Sequence, residues 1–151
     1  SGFLFTLGLA AIAGLFLTGI VVDRHLTRVA IAAMAAFCLA MLLLATIGGA
    51  PAILIAAVCW GLGLGASPTV FQTACARVAG PQIDQAQSLL VTIFNAGMAL
   101  GSAIGGALLD QARSTASLPW VSLGIFAGIA TLLILTSARS LPANAASLNP
   151  T

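Results

Sequence analysis

Five long apolar runs dominate this sequence and leave it few ways to fold. Each is near or above the ~20 residues that a helix needs to cross a hydrocarbon core ~30 Å thick. Backbone groups in lipid have no water to pair with, and the runs lack a barrel's alternating pattern, so we expect helices. We therefore predict an all-α integral membrane protein with a bundle of five transmembrane helices over residues 1–139. The runs extend over about Phe3–Val22, Val29–Ile47, Pro51–Ala76, Ala86–Leu109 and Leu118–Ala138.

Charge is scarce and carries no sign of a nucleic-acid partner. Hydrophobic residues make up 60% of the chain and charged residues 5%, against about a quarter charged in an ordinary soluble domain. The net charge of +2 includes no basic tail, so we expect lipid, other membrane helices and a small solute as partners. Cys38, Cys59 and Cys75 stand singly, and no cluster has metal-ligand spacing. We predict no cofactor and no metal site.

Short segments rich in glycine, proline or polar residues separate most of the runs. Gly48–Pro51, Gly80–Gln82 and Ser114–Pro119 are predicted turns, which make neighbouring runs antiparallel. Residues 140–151 are rich in Ala, Asn, Ser and Pro and are predicted to form a disordered cytoplasmic tail. The chain opens on Ser1 rather than Met, so we expect it to begin inside a longer protein.

The arginines predict an orientation. Arg24, Arg28, Arg77 and Arg139 fall on one side of the membrane when five spans are threaded, and Arg113 falls on the other. Cytoplasmic loops carry an excess of basic residues. We therefore predict a multi-pass protein of the cell inner (plasma) membrane with a cytoplasmic C-terminus.

The densest charge lies between the first two runs and carries a resemblance. Gly19, Asp23, Arg24 and Arg28 match the pattern Gly-x-x-x-Asp-Arg/Lys-x-Gly-Arg/Lys-Arg/Lys, while Leu26 and Thr27 depart from it. This stretch resembles the loop signature of the major facilitator superfamily, in a degenerate copy typical of the family's second half. The resemblance implies that Gly19, Asp23, Arg24 and Arg28 form a conformational-switch loop, with Asp23 latching the inner gate.

The third and fourth runs carry polar groups at membrane depth. A stripe of glycines in the third run leads to Gln72 and lines either a cavity or a neighbouring helix. In the fourth run, polar residues follow one face and glycines another, and Asn95 either lines a cavity or holds two helices together. Val29–Ile47, by contrast, is predicted to face lipid over much of its surface. The substrate-cavity candidates are Gly65, Thr69, Gln72, Thr92 and Asn95, and the predicted helix-packing residues are Gly97, Gly101 and Gly105.

The third and fourth runs extend this resemblance to a larger part of the chain. The glycine-rich third run, the segment from Asn95 to Gly106 and Asp110 look like the tenth and eleventh helices of drug and sugar proton-antiporter efflux permeases. The chain then corresponds to helices eight to twelve of a twelve-helix transporter, with helices two to six as the competing register. The resemblance implies an efflux permease that works by alternating access, with the missing N-terminal half of the same protein as a partner and protons as a coupling ion.

Two other classes compete with the transporter. An intramembrane serine protease would need a base near Ser67, but His25 lies in the charged turn far from it, so we predict no enzyme and no catalytic residue. A structural or accessory membrane subunit without transport activity of its own stays open. Asp23, Asp84 and Asp110 all sit at the ends of runs or between them. The predicted cavity is therefore neutral and suits a sugar, a nucleoside or an amphipathic drug.

Overall fold

The computed structural model describes residues 2–47, 49–111 and 118–139, which are helical almost throughout. The predicted all-α class is confirmed for these residues. The predicted tail at 140–151 and residues 114–117 of a predicted turn lie outside them. The elements are α1 (Gly2–Thr46), α2 (Gly49–Ala79), α3 (Ile83–Gln111) and α4 (Leu118–Arg139), and a 3-10 turn at Gly80–Gln82 joins α2 to α3.

The prediction of five separate transmembrane helices is wrong. The described residues contain three helical segments long and apolar enough to cross a membrane: Gly2–Thr46, Gly49–Asp110 and Leu118–Thr136. Helix continues through the charged stretch because Asp, Arg and Thr can take helical dihedral angles, and His25 alone departs from them, at φ −135° and ψ 41°. Polarity marks where a chain leaves lipid, but polarity alone does not break a helix.

α1 reverses direction at His25. We call residues 2–24 the N-arm and residues 26–46 the C-arm. The N-arm runs along α2 in the same direction and the C-arm in the opposite direction, so the two arms flank α2. The direction follows from the residues that meet: Ala11 with Gly65 and Val22 with Arg77 for the N-arm, Phe37 with Gly63 and Met41 with Ala56 for the C-arm.

The N-arm and α2 approach each other closely at glycine positions. A Cβ atom added to Gly14 would lie 2.5 Å from the carbonyl oxygen of Leu62. Gly65 is tighter still, since a Cβ atom there would collide with the backbone of Ala11. Backbone atoms cannot move aside as a flexible side chain can, so these glycines set the distance between the two helices.

The C-arm lies between α2 and α4, where three aromatic rings meet. Phe37 of the C-arm stacks on Phe126 of α4 with ring centroids 4.8 Å apart. Phe37 also meets Trp60 of α2 edge-on at 5.8 Å. Met41 is 3% exposed in the same core, whereas Leu39 is 47% exposed. The run 29–47, predicted to face lipid over much of its surface, thus buries one face in the centre of the described chain.

α3 is the least covered helix. None of its residues from 83 to 110 is buried. The chain turns back into α3 at Gly80, whose φ of +51° is the left-handed conformation that a residue without Cβ adopts readily. The side-chain amide of Gln87 then donates a hydrogen bond of 3.2 Å to the carbonyl oxygen of Gln72 in α2. α3 therefore runs back along α2 while one long face stays open.

Candidate functional site

The charged turn, residues 23–28, joins the N-arm to the C-arm. Asp23, Arg24 and Arg28 are exposed there on one short stretch of chain. Gly19 lies four residues earlier, and a Cβ atom added to it would meet nothing within 4 Å. The structure thus brings the charged members of the predicted switch loop together at one end of the helices, with Gly19 on an open surface nearby.

Arg77 of α2 ties this turn to the rest of the chain. Its Nη2 atom donates hydrogen bonds to the carbonyl oxygens of Asp23 at 2.5 Å and Val22 at 3.3 Å. These carbonyls precede the reversal at His25, where helical carbonyls lose their partners and the helix dipole is negative. The Arg77 guanidinium supplies hydrogen-bond donors to these carbonyls and a positive charge at the negative end of the dipole. The contact also places the charged turn and the Gly80 turn at the same end of the helices.

Gln72 and Asn95, two of the predicted cavity residues, line one cavity between α2 and α3. Its volume is about 150 Å³. The rest of its lining is apolar, and no charged side chain takes part in it. The other lining residues are Pro68, Phe71, Leu90, Val91 and Phe94.

The hydrogen bonds at this cavity leave acceptor and donor groups free for a solute. Asn95 Nδ2 donates to the carbonyl oxygen of Val91 at 3.0 Å, so the Asn95 amide oxygen is the group that can accept a bond from a hydroxyl or amine. The bond from Gln87 goes to the backbone carbonyl oxygen of Gln72 and does not involve the Gln72 side-chain amide, which can bond to other partners. Apolar walls with a few polar groups are typical of sites that bind small neutral molecules.

The other three predicted cavity residues lie elsewhere. Gly65 faces the N-arm across a close helix contact, which is the packing alternative that the sequence left open for its stripe. Thr92 is exposed, and its hydroxyl donates to the carbonyl oxygen of Ser88 at 2.9 Å. Thr69 is half-buried in α2 and does not line the cavity. Two of the five candidates are therefore brought together.

The glycine ridge of α3 faces open space within the described part of the chain. Cβ atoms added to Gly97, Gly101 and Gly105 would meet nothing within 4 Å. Their assignment as helix-packing residues stays a prediction.

Among the described residues, no group of His, Cys, Asp and Glu could hold a metal ion. Ser67, the residue that an intramembrane protease would need as nucleophile, is buried and donates its hydroxyl proton to the carbonyl oxygen of Gly63 at 2.8 Å. His25, the only histidine, lies in the charged turn. Ser67 has the geometry of a hydroxyl that is satisfied within its own helix.

Apolar membrane-length helices that fold back on one another define a multi-pass membrane protein. A family model of the Major Facilitator Superfamily matches residues 1–149. The chain therefore belongs to the Major Facilitator Superfamily, a family of transporters and not of enzymes.

The chain is also similar to the transcription regulatory protein OpdE of Pseudomonas aeruginosa, with 30% identity over 141 residues. The match covers 93% of this chain and 35% of OpdE, so the chain spans about a third of that relative's length. No solved structure matches the chain.

Proposed function

We propose that the chain is part of the C-terminal half of a secondary transporter, which exports a small neutral or amphipathic solute by alternating access. In this proposal the two arms of α1 together with α2, α3 and α4 correspond to helices eight to twelve. The observation that carries the proposal is the uncharged cavity between α2 and α3, where Gln72 and Asn95 meet among apolar side chains. Such a lining selects by shape and hydrogen bonding. If export is driven by proton antiport, the proton carrier is expected outside these residues, because Asp23, Asp84 and Asp110 are not in the lining.

Transport by the full-length protein in liposomes tests this proposal. A panel of sugars, nucleosides and amphipathic drugs is first screened for a solute that raises the melting temperature of the purified protein. Asn95→Ala and Gln72→Ala should then lower transport of that solute without lowering the yield of folded protein. Thr136→Ala is the matched control, because Thr136 makes the same kind of bond within its own helix, to Leu132 at 2.9 Å. Equal transport by all three variants contradicts the proposal.

The second candidate function is a membrane-embedded regulator, an accessory role without transport. The similarity to OpdE favours it, because OpdE is named a transcription regulatory protein. The same liposome assay separates the two. A regulator of this kind would be stabilised by its solute and would not move it across the membrane, whereas a transporter would do both.

We further propose that the charged turn faces the cytoplasm of a cell with the protein in its plasma membrane. Arg24, Arg28 and Arg77 gather at the end of the helices that carries both turns, which is the arrangement that basic residues favour on the inner side. Single cysteines at His25 and Gln82 should therefore react with an impermeant reagent from the cytoplasmic side only. Labelling of either from outside contradicts this orientation.

The role that we propose for Asp23 is a latch against the N-terminal half of the protein. A carboxylate at a partly buried helix N-terminus is stabilised by up to ~2 kcal/mol, which changes a two-state ratio roughly thirtyfold. Arg77 supports this role because it fixes the carbonyl oxygen of Asp23. Asp23→Asn should leave solute binding unchanged, slow transport and raise cytoplasmic labelling of a cysteine at Gln72. Wild-type transport and labelling would make the turn a topology signal alone.

A further inference from the structure

Two neighbouring cavities at the charged turn share the lining residues Leu26 and Thr27. One cavity, of about 240 Å³, is almost wholly apolar and lies between the C-arm, α2 and α4. The other, of about 230 Å³, is polar and opens at the turn. Together they form one continuous surface, which is apolar along the helices and positively charged at the turn.

The apolar cavity has the shape of a groove for a hydrocarbon chain. Its lining extends along the C-arm from Leu26 to Met34 and along α2 from Ser67 to Ala74. At a rise of ~1.5 Å per residue, this is about 12 Å along the C-arm and about 10 Å along α2. Ile129 and Leu133 of α4 complete the lining.

The polar cavity gathers positive charge with little to neutralise it. Arg24, Arg28 and Arg77 line it together with His25. Asp23 is adjacent in sequence but is not part of the lining. Within the described chain, the side chains of Arg24 and Arg28 form no hydrogen bond or ion pair, and Arg77 uses Nη2 for the carbonyls of the turn. The guanidinium fork suits phosphate oxygens, which accept two parallel hydrogen bonds.

We propose that this surface binds an anionic phospholipid, with an acyl chain in the apolar groove and the headgroup phosphate on Arg24 and Arg28. A soluble phosphate would use the arginines and leave the groove empty. A zwitterionic lipid would use the groove, but the cation of its headgroup would offset the charge of its phosphate at the arginines. An anionic lipid fills the apolar groove and also neutralises the arginines. Basic pockets between membrane helices are known to favour such headgroups. The site does not depend on which solute the protein carries.

The test measures lipid binding to the purified full-length protein in neutral detergent by native mass spectrometry. Phosphatidylglycerol is compared with phosphatidylcholine of the same acyl chains and with glycerol 3-phosphate. We expect phosphatidylglycerol to bind more tightly than phosphatidylcholine, and glycerol 3-phosphate not to bind. Arg28→Gln should weaken phosphatidylglycerol about fivefold, since an arginine near anionic lipid contributes about that factor. Arg28→Lys, which keeps the charge, should weaken it less.

Two variants control for charge and for the groove. Arg113→Gln removes the same charge from a loop predicted on the opposite side of the membrane, and should leave binding unchanged. Ala30→Leu narrows the groove at a half-buried position of its lining and should weaken the lipid while the turn keeps its arginines. Equal binding of the two lipids, equal effects of Arg28→Gln and Arg113→Gln, or equally tight binding of glycerol 3-phosphate would each overturn the proposal.

Discussion

Removing the Arg77 side chain should loosen the charged turn without unfolding the protein. Arg77→Ala deletes the hydrogen bonds to the carbonyl oxygens of Val22 and Asp23. A hydrogen bond from a charged donor contributes ~1.5–3 kcal/mol, and a cation at a helix C-terminus ~0.3–1 kcal/mol. Arg77 is exposed and one of its nitrogens serves both carbonyls. We therefore expect the contact to stabilise the turn by about 1 kcal/mol, the top of the range for a cation at a helix C-terminus. That corresponds to about a fivefold rise in opening of the turn.

Hydrogen exchange of the backbone amides at 24–28 measures this opening directly. The full-length protein is used in neutral detergent. Arg28→Ala is the matched control, because it removes an arginine of the same turn whose side chain bonds to no other described residue. Exchange should rise about fivefold in Arg77→Ala, by less in Arg77→Lys, and hardly at all in Arg28→Ala. Equal exchange in Arg77→Ala and Arg28→Ala would refute the reasoning.

Three further predictions concern packing and coupling. Gly65→Leu should lower the yield of folded protein sharply because the side chain meets backbone, while Gly8→Leu, in open space, should not; gel filtration of both variants checks this. If the open ridge of α3 packs against a helix in the whole protein, Gly101→Leu should also reduce folded yield, and a normal yield would make the ridge a free surface. Neutralising Asp84 and Asp110 together should leave the pH dependence of transport unchanged in the liposome assay, and its loss would place the proton carrier here.

Hydrophobicity and turn residues predicted the helical class and the positions where the chain reverses. The reversal at His25 lies inside the stretch singled out for its charge, and the reversal at Gly80 was singled out for its turn chemistry. The number of helices could not be read in the same way, because no residue from Asp23 to Arg28 is a Gly or Pro that would end one. Helical backbone therefore continues up to and beyond the reversal.

The sequence predicted which site residues share a helix face, but not which neighbours those faces contact. Periodicity placed Gly65 and Gln72 on one stripe of α2, yet one of them packs against the N-arm and the other lines the cavity with Asn95. Helical spacing indicates which residues share a face, whereas the neighbour of that face depends on the rest of the chain. The bond from Arg77 to Asp23 joins residues 54 positions apart and leaves no local signal in the sequence.

Access to the cavity from the two sides of the membrane tests the central claim most directly. Val91 lines the cavity with Asn95, so a single cysteine at Val91 reports whether the cavity is open. In inside-out and right-side-out vesicles, alternating access predicts labelling of this cysteine by an impermeant reagent from both sides, with the solute shifting the two rates in opposite directions. Labelling from one side only, at a rate that the solute leaves unchanged, would contradict transport through this cavity.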